Sequence, residues 1–233
     1  MKRLLYLSLA VMAIAAVSCN KEDNAKDNVP KYGEDNLWAP KPEAVDLGLS
    51  VKWASTNLFA TNEYQFGLFF AWGELRYKTE YTLENYKYPA PDNVPTTLPS
   101  SKDAAQYWLE DLGDGWRMPT KAEIQELVDT FNDEDYIWKA DTKTADNGNT
   151  VLLGWRVTSN AGKTKGNSVY FPAAGLFSTV QGFDGNSGFY WSSTIYDIWP
   201  YNAWALALTE EGVKLSHDTG RYLGLPIRAV YED

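Results

Sequence analysis

The chain has 233 residues, with 21 lysines and arginines against 31 aspartates and glutamates, for a formal net charge of −10. A surface of that sign repels polyanions, and no basic stripe interleaved with aromatics relieves it, which argues against nucleic acid as a partner. With one cysteine and one histidine in the whole chain, an intrachain disulfide is impossible and a zinc cluster or a histidine-based triad has almost nothing to draw on.

Lys2 and Arg3 precede an apolar run from Leu4 to Val17, long enough for the hydrophobic part of an export signal but short of the ~20 residues that span a bilayer. Ser18 stands directly before Cys19, and this junction resembles the lipobox of bacterial lipoproteins, in which the thiol is acylated and the signal is cut off in front of it. Residues 1–18 are therefore expected to be a lipoprotein signal peptide. Cys19 would carry the lipid, with the outer-membrane bilayer as its partner, because several acyl chains hold where one holds only marginally. Asn20-Lys21-Glu22-Asp23-Asn24 resembles the lysine-plus-acid signal that sends Bacteroidetes lipoproteins to the outer face of the outer membrane. Up to Pro42 the sequence stays polar and is broken by Pro30, Pro40 and Pro42, so residues 19–42 read as a flexible tether.

Folded sequence is expected over residues 43–233. Ala44–Leu47 and Val51–Ala54 flank Gly48 as a short strand pair, and Phe66–Gly73 reads as a buried strand. Tyr77–Pro99, rich in Tyr, Pro and Asn, reads as a long surface loop. Ser100 or Ser101 is placed to cap a helix whose Ala104, Ala105, Trp108, Leu109 and Leu112 share one face, with Gly113 as its stop. Thr120 and Glu123 form a capping box behind Pro119, and Ile124, Leu127, Val128 and Phe131 continue one apolar face. From Thr150 onward short strands and glycine-rich turns dominate: Val151–Val157, Ser168–Phe171, Gly188–Ser192, Asn202–Leu208, Val213–Ser216 and Ile227–Val230. In the fourth of these, Trp204, Leu206 and Leu208 alternate onto one core face. Helices followed by strands, without βαβ alternation, predict an α+β class.

Gly115-Trp116-Arg117-Met118-Pro119-Thr120-Lys121-Ala122-Glu123, together with Val45–Ala54 and Tyr190-Trp191-Ser192-Ser193-Thr194, resembles the Fibrobacter succinogenes major paralogous domain family. The resemblance runs from about Glu43 to the C-terminus and implies a C-type-lectin-like fold, with two helices and a short-stranded, mainly antiparallel sheet. The Gly-Trp-Arg region is also similar to that of formylglycine-generating enzymes. Their oxidation chemistry needs cysteine, and the expected domain has none. On the residues themselves, Trp116, Arg117, Pro119 and Trp191 read as structural: a ring under a turn, a guanidinium for carbonyls or a carboxylate, a fixed entry angle, and a strand residue facing inward.

No metal or other cofactor is expected. The paired carboxylates of a glycosidase are not fixed by any short spacing, and the Glu-Pro-Asn or Gln-Pro-Asp loop and Trp-Asn-Asp strand of calcium-dependent lectins are missing. Phe177 to Phe189 is a second candidate binding loop, in which Asp184 and Asn186 read as parts of a plain turn, with their oxygens as calcium ligands the alternative. His217 reads as an exposed strand-end residue. The best candidate for binding is Tyr196-Asp197-Ile198-Trp199-Pro200-Tyr201-Asn202, where Tyr196, Trp199 and Tyr201 could stack on a sugar and Asp197 and Asn202 could bond its hydroxyls. The function expected is non-catalytic binding of an extracellular glycan or cell-surface protein. The alternatives are an adhesive, fimbria-associated envelope component and, behind it, a degenerate enzyme.

Overall fold

The computed structural model describes residues 41–90, 94–178, 181–182 and 187–233. The signal peptide, Cys19, nearly all of the tether, Asp184 and Asn186 lie outside the described residues. All described residues belong to one compact unit.

Strands β1 (Ala44–Val45) and β2 (Lys52–Ala54) pair antiparallel across the turn at Gly48, whose N–H donates to Asp46 Oδ1 at 2.8 Å. Only Phe69–Phe70 of the apolar run forms a strand, β3. The next two elements are α1 (Ala104–Leu109) and β4 (Trp116–Arg117), followed by α2 (Lys121–Asp129). The remaining strands are β5 (Tyr136–Thr144), β6 (Thr150–Ser159), β7 (Ser168–Pro172), β8 (Leu176–Phe177), β9 (Gln181–Gly182), β10 (Ser187–Ile195), β11 (Asn202–Thr209), β12 (Gly212–Gly220), β13 (Leu225–Pro226) and β14 (Val230–Tyr231). Two antiparallel meanders, β5-β6-β7 and β10-β11-β12, carry most of the sheet, and β3 pairs β13 while β8 pairs β9. β14 inserts between β2 and β4, so that Val230 faces Trp53 on one side and Arg117 on the other. The class is α+β, mostly antiparallel.

Packing follows the apolar periodicity. Ile124 and Leu127 of α2 meet Leu152, Phe171, Leu206 and Leu208 in the larger core, where Phe171 sits edge-on to Trp53 at 5.7 Å and to Tyr190 at 5.5 Å. Edge-to-face contacts of this kind suit the ring quadrupoles. Of the ten tryptophans, Trp38 lies outside the described residues, Trp138 and Trp204 are half-buried, and only Trp199 is an exposed one.

Several expectations are corrected. Helix α1 is capped by Asp103, not by Ser100 or Ser101, which lie in a preceding 3-10 turn. The Asp103 carboxylate accepts from Gln106 N–H at 3.0 Å and from Met118 N–H at 2.9 Å, and so joins the helix to the segment that leads into α2. A serine hydroxyl cannot span both donors. Residues 77–99 are not simply a surface loop, because Tyr81 and Tyr86 are buried in a second core with Phe69, Ala71 and Ala174. Trp204 does not share the core of Leu206 and Leu208. The register shifts between Ala203 and Ala205, and β11 is buried on both faces. Ile227–Ala229 form no strand, and β4 and β5 stand where none was expected.

Candidate functional site

The β10–β11 connection folds as two successive turns. Tyr196 C=O accepts from Trp199 N–H at 3.1 Å and Trp199 C=O from Asn202 N–H at 2.9 Å, while Tyr196 N–H returns to Asn202 C=O at 3.0 Å. Pro200 restricts the backbone between them. From outside the loop, Arg221 N–H donates to Tyr201 C=O at 2.9 Å.

This pinned backbone sorts the five predicted binding residues into two groups. Trp199 (58% exposed) and Tyr201 (43%) face solvent with ring centroids 5.4 Å apart and planes inclined by 48°, and Asp197 is exposed with them. Tyr196 instead turns inward and stacks on His217 at 4.6 Å, with the Trp204 ring edge-on at 5.1 Å. The Asn202 amide donates to His217 C=O at 3.0 Å. Tyr196 and Asn202 therefore hold the loop, and the offered surface is smaller than expected. Ile198, at 76% exposed, belongs to that surface and was not singled out from sequence, since an isolated isoleucine carries no binding signal.

His217 is not at a strand end. It lies within β12, packed between Tyr196 and Trp204, with Nδ1 3.0 Å from Asp218 Oδ1. Lys121 closes this cluster, its Nζ 3.8 Å above the Trp204 ring, a cation–π arrangement no sequence pattern announced.

The motif residues have structural work. Arg117 donates to both oxygens of Glu123, at 2.8 and 2.5 Å, and to Glu232 at 2.9 Å. The capping box forms: Glu123 N–H donates to Thr120 Oγ1 at 3.3 Å, and Thr120 N–H to Glu123 Oε2 at 2.7 Å. Burial opposes ionisation of Glu123, but the Arg117 and Thr120 hydrogen bonds prevail and hold its carboxyl below the ordinary range. Trp116 is buried against Tyr231 across the β4–β14 pair rather than beneath the helix turn. Pro119 C=O accepts from Ser193 N–H at 2.7 Å, and fully buried Trp191 donates from Nε1 to Phe70 C=O at 2.7 Å.

The buried carboxylates are also engaged. Glu74 accepts from Lys78 Nζ at 3.1 Å and from Lys87 N–H at 2.9 Å, and Asp103 is the α1 cap. Among the described residues no three His, Cys, Asp or Glu side chains converge as a metal site, and no helix is long and apolar enough to cross a membrane. No known protein family, curated protein or solved structure matches the chain.

Proposed function

We propose that the protein is a lipoprotein anchored through Cys19 at the outer face of the outer membrane, and that its folded part binds an extracellular glycan without catalysis. On this reading residues 43–233 are a C-type-lectin-like domain of the Fibrobacter succinogenes major paralogous kind. The observation that carries it is the Trp199–Tyr201 pair: two exposed rings on a loop whose backbone is fixed by four hydrogen bonds. Rings held in place lose little entropy on binding, and a sugar presents apolar C–H faces to stack on them. The engagement of Glu74 and Asp103 in structural hydrogen bonds supports the non-catalytic part.

One observation favours a second reading, an adhesive or fimbria-associated component. Among the described residues strand β5 pairs only with β6, leaving nine residues of outer edge with Ile137 52% exposed, a template on which another chain could add a strand.

The test is a glycan array probed with the full chain in a non-glycosidic detergent, with and without calcium, beside Trp199→Ala. Binding should fall at least tenfold in the variant at unchanged folding. Equal binding by both proteins overturns the loop assignment. If no glycan is retained, the edge-strand reading takes its place.

A further inference from the structure

The outer edge of β5 is regular along its length. The one irregularity of the β5–β6 ladder puts its extra residue, Leu153, on β6, since Asp141 faces Gly154 and Thr142 faces Leu152. Just outside the strand, Asp135 C=O accepts from Asn160 N–H at 2.7 Å and Ala145 N–H donates to Asn149 C=O at 2.8 Å, both toward β6. Backbone groups of an antiparallel strand alternate sides, so the odd-numbered residues between them bond β6, and Trp138, Ala140, Thr142 and Thr144 aim N–H and C=O away from it. None of these outward groups has another hydrogen bond among the described residues. An edge is ordinarily blunted by shortness, a bulge or a proline, and β5 has none of the three.

Its side chains are arranged about the middle of the strand. Tyr136, Trp138 and Ala140 turn one face to the core, while Ile137, Lys139, Asp141 and Lys143 line the other, with Ile137, Lys139 and Lys143 exposed. Asp141 is half-buried, and its Oδ2 accepts from the Tyr170 hydroxyl at 3.1 Å across Gly154, where a Cβ would stand 2.6 Å from that hydroxyl. Ala140 is the midpoint of Tyr136–Thr144. About a two-fold axis at Ala140, β5 meets a second β5 along its whole length, core face continuing core face. Ala140 then meets Ala140 and Trp138 meets Thr142, in each case through outward backbone groups. Lys139 faces Asp141 of the second copy, and Asp141 its Lys139, at the non-hydrogen-bonded positions where side chains lie closest. The apolar stem of Lys143 covers Ile137. Neighbouring registers do worse. A slide of one residue sets core face against solvent face. An axis at Lys139 or at Asp141 opposes like charges, and one at Thr142 keeps the opposite charges together but leaves Tyr136 to Lys139 unpaired.

We infer that the partner of this edge is a second copy of the chain, joined antiparallel through β5 so that two β5-β6-β7 meanders form one continuous sheet. This names the occupant of the edge in the adhesive reading and rests on that edge being open; it is independent of the glycan assignment.

The experiment is sedimentation equilibrium of the full chain in a density-matched detergent with micelles in excess, beside Lys139→Asp, Asp141→Lys and the double variant. The parent should dimerise. Each single variant sets like charges opposite one another twice over and should weaken the dimer roughly tenfold or more. The double variant, or a mixture of the two single ones, should restore it, because opposite charges face again. A parent monomeric at every concentration reached overturns the inference, as does a dimer indifferent to both inversions. Exposed Lys139 has no hydrogen bond or ion pair among the described residues, so Lys139→Asp decides even if Asp141→Lys, which deprives Tyr170 of its acceptor, does not fold. Amide hydrogen exchange separates this failure from failure of the reading beneath it: in a monomeric parent, fast exchange at Ala140 and Thr142 leaves the edge open to a different strand, whereas protection there removes the edge from both.

Discussion

Arg228 carries its charge through the core with no carboxylate in ion-pair contact among the described residues. Burial pushes its pKa down to about 10, and three acceptors, Ala54 and Asn57 from one stretch and Tyr170 from β7, together with the Phe171 ring face at 4.9 Å, take the place of a counter-ion. Two effects compete on replacement: removing a buried charge is favourable, while leaving acceptors dry costs about 1–3 kcal/mol for each one. With three acceptors at stake the second should win. Arg228→Met is expected to lower stability by roughly 2–4 kcal/mol in urea unfolding. A variant as stable as the parent would mean that the clamp is energetically idle.

At the scale of elements, the α2 amino terminus gathers Thr120, Glu123, Arg117 and Glu232 into one network joining a helix cap to the chain terminus. Thr120→Ala removes one cap acceptor and should cost about 1 kcal/mol, read as a lower urea midpoint with an unchanged slope. Gly115 has a stricter reason to be there. Its φ is +109°, and a Cβ would lie 2.4 Å from Glu232 C=O, a backbone atom that cannot swing aside. Gly115→Ala is therefore expected to cost more than Thr120→Ala, roughly 2–3 kcal/mol, because strain and collision add. The same equilibrium measurement checks the order of the two.

Across the whole molecule, alkaline pH should undo the fold through its buried phenols. Burial raises the pKa of Tyr81, Tyr86 and Tyr170, and raises that of Tyr190 to about 12. In the unfolded chain each ionises near pH 10, so the folded state retains protons that the unfolded state releases. Their stabilising contribution is complete below about pH 10 and is lost as pH rises through the folded values. Arg228 works in the opposite sense, since the unfolded chain holds that proton more tightly and its burial penalty lessens above its folded pKa of about 10. Four phenols against one guanidinium leave a net loss. The urea midpoint should fall steadily once pH passes about 10, tracking tyrosinate absorbance, and a flat midpoint across that rise would refute the linkage.

What the sequence by itself determined was whatever a few neighbouring residues decide. The Thr120/Glu123 cap, the inward face of Ile124 and Leu127, the burial of Trp191 and most of the strands after Thr150 were all legible, because caps and periodicities of two or 3.6 are local properties. The alternation that buries one face of Tyr136, Trp138 and Ala140 in β5 was equally local and went unread. Only the tertiary structure decided the rest. It sent Tyr81 and Tyr86 into a core, gave the α1 cap to Asp103 through its reach to Met118, threaded β14 between β2 and β4, and diverted Tyr196 and Asn202 from the binding surface to the support of their own loop. Each of those outcomes depends on partners far along the chain, whose meeting is governed by which apolar faces must be covered and which donors must be satisfied once water is gone.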